Sequence, residues 1–256
     1  MREAVSGRAA GHTAATQTVA HPSWRTCSRS GRPMAATTTM LAVDSHAHGG
    51  LAVLYEIAHL ALKLYTVPKA LSALEDYTTG AAARGRLLGC WETEHGVIVG
   101  RVLLLREFED AETLAQERQR VLTSSDPFGV GEYLESFTVE TYAPFPFVPP
   151  VQVGRYGDVY EFRTYELKVG GLLPTMAGWE AALPERTEMF PLTTAMYGLD
   201  GVPRITHIWP FPGLDERLAI RRASYERGIW PPENGPENIA HATSTIAIPT
   251  AFSPLH

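Results

Sequence analysis

Arg163 and His207 are the side chains in this sequence best suited to act on a ligand. A guanidinium presents a rigid fork of donors that can clamp a carboxylate or oxyanion, and an imidazole titrates close enough to neutrality to move a proton. Both lie in strand-like runs, Tyr160 to Lys168 and Arg204 to Phe211. Side chains two apart on a strand point the same way. Glu161, Arg163 and Tyr165 therefore share one face, and Ile205, His207 and Trp209 share another. Both sets are expected to face the space between two sheets, with Arg163 as charge clamp and His207 as acid or base. Tyr165 and Trp209 would form an aromatic wall with a polar edge, and Glu161 and Tyr197 complete the ligand-binding candidates. The plain alternative is an Arg163–Glu161 or Arg163–Glu166 pair beside a hydrogen-bonded His207, serving the fold alone.

Other chemistry-bearing residues are less convincing. Asp44-Ser45-His46-Ala47-His48 has the alternating histidines that a barrel hydrolase uses to hold a metal, but such a barrel needs eight strand–helix units and more ligands than this length supplies. No metal is expected. His207 could also serve as an axial haem ligand, but no haem-attachment motif accompanies it, and no cofactor is expected. Arg217, Arg221 and Arg222 read as a solvated helix face rather than an anion site. Ser72, Ser224 and Cys90 lack a nucleophile elbow, and no glycine loop is built to cradle phosphate.

The elements that must position these residues come in two similar sets of about a hundred residues. The first opens on a strand from Leu51 to Leu62 and continues into a helix with the stripe Val67, Leu71, Leu74, Tyr77, entered through Pro68. Strands near Leu87–Glu92 and Val97–Arg106, a helix Ala111–Leu122 with Leu114, Arg118 and Val121 or Leu122 along one side, and a strand Glu135–Tyr142 follow. The second set repeats the order. A strand Val159–Lys168 leads to a helix with the stripe Leu172, Met176, Trp179, Leu183, then strands Thr193–Leu199 and Arg204–Phe211 around the turn pair Asp200-Gly201. A helix defined by Leu214, Leu218 and Tyr225 and a strand Ala242–Pro249 complete it.

A βαββαβ order gives a four-stranded antiparallel sheet with both helices on one face, leaving the other face to be covered by a second sheet. The expected fold is α+β: two tandem ferredoxin-like domains whose antiparallel sheets pack face to face as an α+β barrel. The domain bounds are 1–50 for a disordered tail, 51–143 for the first domain, 144–157 for a Pro-rich linker and 158–256 for the second domain. Tyr142 to Pro150 suits that linker better than a target for a proline-binding module.

Charge narrows the partners. The first fifty residues hold five Arg against Glu3 and Asp44, so the tail carries 5 − 2 = +3 and the remainder −6 − 3 = −9. So acidic a body offers no basic surface for nucleic acid. Cys27 and Cys90 suggest neither a disulfide framework nor a metal pair. No apolar run reaches the roughly 18 residues of a membrane span, and a soluble, cytoplasmic protein is expected. The tail is rich in Arg and hydroxyl residues and poor in acids, which also fits a mitochondrial transit peptide. Met34 or Met40 as the true start would remove that argument.

The run Tyr160-Glu161-Phe162-Arg163-Thr164-Tyr165-Glu166-Leu167-Lys168, with Gly170 close behind, resembles the opening of NIPSNAP domains. Arg204-Ile205-Thr206-His207-Ile208-Trp209-Pro210-Phe211, followed by Leu214-Asp215-Glu216-Arg217, resembles a second segment of that family in the right order and spacing. The first unit looks like a diverged copy that retains Tyr55-Glu56 and Leu62-Lys63. The resemblance implies a dimeric α/β-barrel fold, self-association into a homo-oligomer, and a mitochondrial link for eukaryotic relatives.

Two functions compete on these grounds. One is a non-enzymatic barrel that oligomerises and binds a partner or a small hydrophobic ligand. The other is a cofactor-independent or haem-assisted enzyme, of monooxygenase, isomerase or dehydratase type, acting through His207 and Arg163. The first unit has Ala58, Leu60 and Leu104 where the second has Arg163, Tyr165 and His207. Any ligand is therefore expected in the second unit.

Overall fold

The computed structural model describes residues 53–97, 100–233 and 235–256. The tail at 1–50, with Cys27, Met34, Met40, His46 and His48, lies outside the described residues.

The first half runs β1 (Leu54–Leu62), α1 (Val67–Thr79), β2 (Arg86–His95), β3 (Arg101–Phe108), α2 (Ala111–Thr123) and β4 (Leu134–Pro144). The second runs β5 (Val159–Leu167), α3 (Leu172–Met189), β6 (Thr194–Gly198), β7 (Arg204–Phe211), α4 (Leu214–Glu226) and β8 (Ile239–Pro249). Local chemistry explains several boundaries. Pro68 occupies the first turn of α1, where its missing N–H costs nothing. Asp110 caps α2 by accepting a hydrogen bond from the Thr113 N–H at 2.7 Å.

All eight strands close into one antiparallel barrel in the order β1-β3-β2-β8-β5-β7-β6-β4. Each half contributes four consecutive staves. The seams are short: β2 pairs β8 from Trp91↔Pro249 to His95↔Ile246, and β4 pairs β6 from Tyr142↔Gly198 to Pro144↔Met196. The barrel interior is a single apolar cluster in which Tyr55, Ile57, Trp91 and Leu103 meet Tyr160, Phe162, Met196 and Ile208. Trp91 lies 5.2 Å from the Tyr160 ring and 5.1 Å from that of Phe162. A fully buried Phe or Leu contributes about 1.5–3 kcal/mol, against about 1 kcal/mol net for a hydrogen bond. This shared interior, more than the short seams, joins the halves.

The outer faces of the sheets carry the helices. α1 buries Val67, Ala70, Leu74 and Thr78, and α3 buries Thr175, Gly178, Trp179, Leu183 and Arg186. Two helix stripes differ from the sequence expectation. On α2 the buried residues are Leu114, Glu117 and Val121, while Leu122 is exposed. On α4 Leu214, Leu218 and Tyr225 are exposed, and the helix instead presents Arg217 and Arg221 inward, toward Glu161. An apolar periodicity marks a helix, but a buried carboxylate on the sheet decides which face turns in. The Pro-rich segment after β4 is well anchored, with Phe145 packed edge-on against Trp179 at 5.8 Å and the Val151 N–H donating to the Tyr55 hydroxyl. Among the described residues, no helix is long and apolar enough to cross a membrane.

Candidate functional site

β5 and β7 are hydrogen-bonded neighbours whose register sets Glu161 beside Trp209, Arg163 beside His207 and Tyr165 beside Ile205. The strand alternation that grouped Glu161, Arg163 and Tyr165, and likewise His207 and Trp209, holds. Their side is reversed: these residues face α3 and α4, not the barrel interior. Tyr160, Phe162, Thr206 and Ile208 point the other way, and the aromatic and aliphatic members of that set fill the interior against Trp91. The charged set goes to the helix layer because arginines on α4 wait there to neutralise it.

Glu161 is the centre of this layer. Its Oε1 accepts from Arg217 Nη2 at 2.5 Å, Ser244 Oγ at 2.7 Å and Arg163 Nη1 at 3.1 Å, and its Oε2 lies 3.5 Å from Arg221 Nη1. Burial alone would raise this carboxyl, but the hydrogen bond from Arg217, the charge of Arg163 and the Ser244 hydroxyl hold it down at about 2. Arg163 also donates from Nε to the Tyr165 hydroxyl at 2.6 Å. Arg217 and Arg221, read from sequence as solvated, are parts of this buried network, whereas Arg222 is exposed.

His207 is 1% exposed and enclosed by rings, with Trp179 at 4.7 Å and Tyr165 at 5.0 Å. Its Nδ1 accepts from the Trp209 indole N–H at 2.7 Å. Burial, then the charge of Arg163, pushes the ring well below the usual histidine range, so it is neutral at physiological pH. Beside it lies a cavity of ≈ 10 Å³ lined by Glu161, Arg163, Arg186, Trp209, Arg221 and Trp230 among others. That volume matches one water molecule. It does not fit a haem. Tyr197 on β6 does not line it but packs at the margin of the apolar cluster under α3.

Arg186 was not anticipated. It continues the α3 stripe beyond Trp179 and Leu183 at helical spacing, which is the signal that marks it as inward-facing. Its guanidinium lies 4.4 Å from the Trp209 ring centroid.

The first half has its own network in the corresponding layer. Arg106, 1% exposed, donates to Glu56 at 2.5 Å and to Glu117 of α2 at 2.7 Å. Cys90 is buried, and burial pushes its thiol up to about 12, which suits packing rather than nucleophilic chemistry. Among the described residues, no group of three or more His, Cys, Asp or Glu side chains could hold a metal ion.

A second concavity is larger. The Pro-rich segment and α3 enclose a cleft of ≈ 610 Å³, lined by Phe147, Val148, Pro149, Leu183, Pro184 and Leu192 with more distant residues. Across Phe147 lies a hollow of ≈ 340 Å³ against Leu173, Met176 and Ala177. The cleft walls come from segments around residues 147–156, 180–193, 210 and 255. No local pattern in the sequence announces it.

Comparison with known proteins connects these features to relatives. The profile of the NIPSNAP family matches residues 160–254. A Dictyostelium discoideum protein described as a NipSnap homolog is 25% identical over 162 residues, covering 62% of this chain and 70% of the relative. Among solved structures, a Lactobacillus acidophilus protein provisionally described as a monooxygenase superposes with a TM-score of 0.56 at 11% identity, over 77% of this chain and 94% of that one. An anthrone oxidase-like protein gives 0.55 at 11% identity, over 79% and 94%. At such identities the structural likeness concerns the fold, and its extent takes in both halves of the barrel.

Proposed function

Because the chain belongs to the NIPSNAP family through residues 160–254, in an α+β barrel with a cleft beside its second half, we propose that it binds a small hydrophobic ligand. The observation that carries this reading is the cleft of ≈ 610 Å³ between α3 and the Pro-rich segment. Its volume falls within the roughly 300–1,000 Å³ typical of small-molecule sites. The walls are mainly proline, leucine and phenylalanine, and the titratable residues among them are Glu180 and Tyr156. Such a lining supports recognition of an apolar body with a polar group at its edge, and it offers little for acid–base chemistry.

Catalysis of monooxygenase, isomerase or dehydratase type, cofactor-independent or haem-assisted, is the weaker reading. It requires substrate to reach His207, which is 1% exposed behind three aromatic rings. Self-association belongs to the favoured reading, because Leu214, Leu218 and Tyr225 present an apolar surface on α4 that a second copy would cover.

The test is titration with the neutral fluorophore N-phenyl-1-naphthylamine, whose emission rises in apolar surroundings. Wild-type protein should saturate at one site per chain. Thr187→Arg, which places a charge at the cleft wall, should weaken binding about tenfold or more, while His207→Gln should leave it unchanged. Equal affinity in wild type and Thr187→Arg would overturn the proposal.

A further inference from the structure

The polar layer under α3 and α4 contains buried donors that no group among the described residues satisfies. A tryptophan N–H can only donate, so the bond from Trp209 Nε1 to His207 Nδ1 fixes that nitrogen as an acceptor. The proton of the neutral ring must then sit on Nε2. Among the described residues His207 Nε2 has no hydrogen-bond partner, and neither does Arg186 Nη1. Both residues are buried, His207 at 1% and Arg186 at 4% exposure, and both line the same ≈ 10 Å³ cavity.

The charge around that cavity is unbalanced. Arg163, Arg186 and Arg221 line it against the single carboxylate of Glu161, which gives 3 − 1 = +2. Arg217 adds a further positive charge behind Glu161. Glu161 is already engaged by Arg163, Arg217 and Arg221, and among the described residues no carboxylate lies within ion-pair distance of Arg186. In the first half the protein supplies its own balance, since Arg106 is bonded by both Glu56 and Glu117. A buried guanidinium without a counter-charge is costly. Two residues with orphan donors lining one water-sized space in a positive field suit an acceptor with negative charge. Glu161, Ser224 and Tyr225 also line the space and can take the hydrogens of a water molecule, so it is the net positive charge of the lining that favours an anion over water.

We propose that this cavity binds one small inorganic anion of halide size, held by His207 Nε2–H and the Arg186 guanidinium. The anion docks α3 and α4 onto the β5–β7 face of the barrel. This site is separate from the hydrophobic cleft, and either can exist without the other.

Thermal unfolding tests it, with sodium chloride replacing sodium gluconate at constant ionic strength, because gluconate is too large for the cavity. Wild-type protein should gain about 3 °C in Tm, saturating with chloride. Arg186→Met, which retains the contact with Trp209 while removing the charge, should show no chloride-specific gain. Crystals of the wild-type protein grown with sodium bromide should show an anomalous peak between His207 Nε2 and Arg186, a measurement that decides the matter even if Arg186→Met does not fold. Equal chloride gains in both proteins, no chloride effect on the wild type, or an ordered oxygen without anomalous signal beside His207 would each overturn the proposal.

Discussion

Glu56 on β1 and Glu161 on β5 are each the third residue of the first strand of their half, each 1% exposed at the side chain, yet arginines from different elements neutralise them. Glu56 is bonded by Arg106 on the neighbouring strand β3, and Glu161 by Arg217 on helix α4. In the strand register Arg106 faces Glu56 where Trp209 faces Glu161. The first half thus does not lack a polar set. It has a different one, built on Glu56, Arg106 and Glu117 and continued through Arg118 to Asp200, whereas the second half leaves room beside His207.

Arg106→Met should destabilise the protein by about 3–5 kcal/mol, because it leaves the buried Glu56 carboxylate with only Arg118 at 3.9 Å, while Glu117 keeps Tyr77 and Arg120. Arg163→Met should cost less, about 1–2 kcal/mol, since Glu161 keeps Arg217 and Ser244. Urea unfolding midpoints measure both, and equal costs would show that the two networks are not organised as described.

Acid should act through Glu161. Its carboxyl titrates at about 2 in the folded protein against an ordinary value of 4.5. A group with a depressed folded pKa contributes stability that is present above its unfolded value and lost as pH falls toward the folded one. Stability should therefore fall between pH 4.5 and 2, and Glu161→Gln should flatten that part of the profile. Denaturation across this window checks it, and an unchanged acid limb in Glu161→Gln would contradict the assignment.

His207 predicts a second window at higher pH. Its folded pKa lies well below 6.5, so the unfolded chain takes up a proton that the folded chain refuses, and stability declines as pH drops below 6.5. His207→Gln, whose amide oxygen can still accept from Trp209, should reduce the slope between pH 6.5 and 4.5. If the ring's C2–H resonance titrated near 6.5 in the native protein, the buried neutral state would be wrong.

Gly89 on β2 is required by its neighbour. A Cβ at that position would lie 2.0 Å from the Trp91 ring, and Trp91 is the side chain that touches both Tyr160 and Phe162 across the interior. Gly89→Ala should destabilise by about 1–3 kcal/mol through overpacking. Calorimetry measures the loss, and a neutral substitution would mean that Trp91 repacks freely.

Most of the fold was legible. Alternation along β5 and β7 grouped the residues that share a face, because that period is a property of the strand itself. Helical spacing located α1 to α4, and the duplicated βαββαβ order dictated a barrel built from two sheets. Which side of the sheet faced inward was not legible, since alternation separates two faces without naming either. The choice went to Tyr160 and Phe162 because Trp91, nearly seventy residues away, packs against them.

The site divides the same way. The sequence alone determined that Glu161, Arg163, Tyr165, His207 and Trp209 would lie close together, through strand period and the family resemblance. Only the tertiary structure decided that Arg217 and Arg221 turn inward, that Arg186 joins them with no carboxylate of its own among the described residues, and that a cleft opens between α3 and the Pro-rich segment. Those outcomes depend on charges and surfaces brought together from distant elements. A buried carboxylate recruits whatever arginine the packing delivers, and a cavity is what several segments together fail to fill.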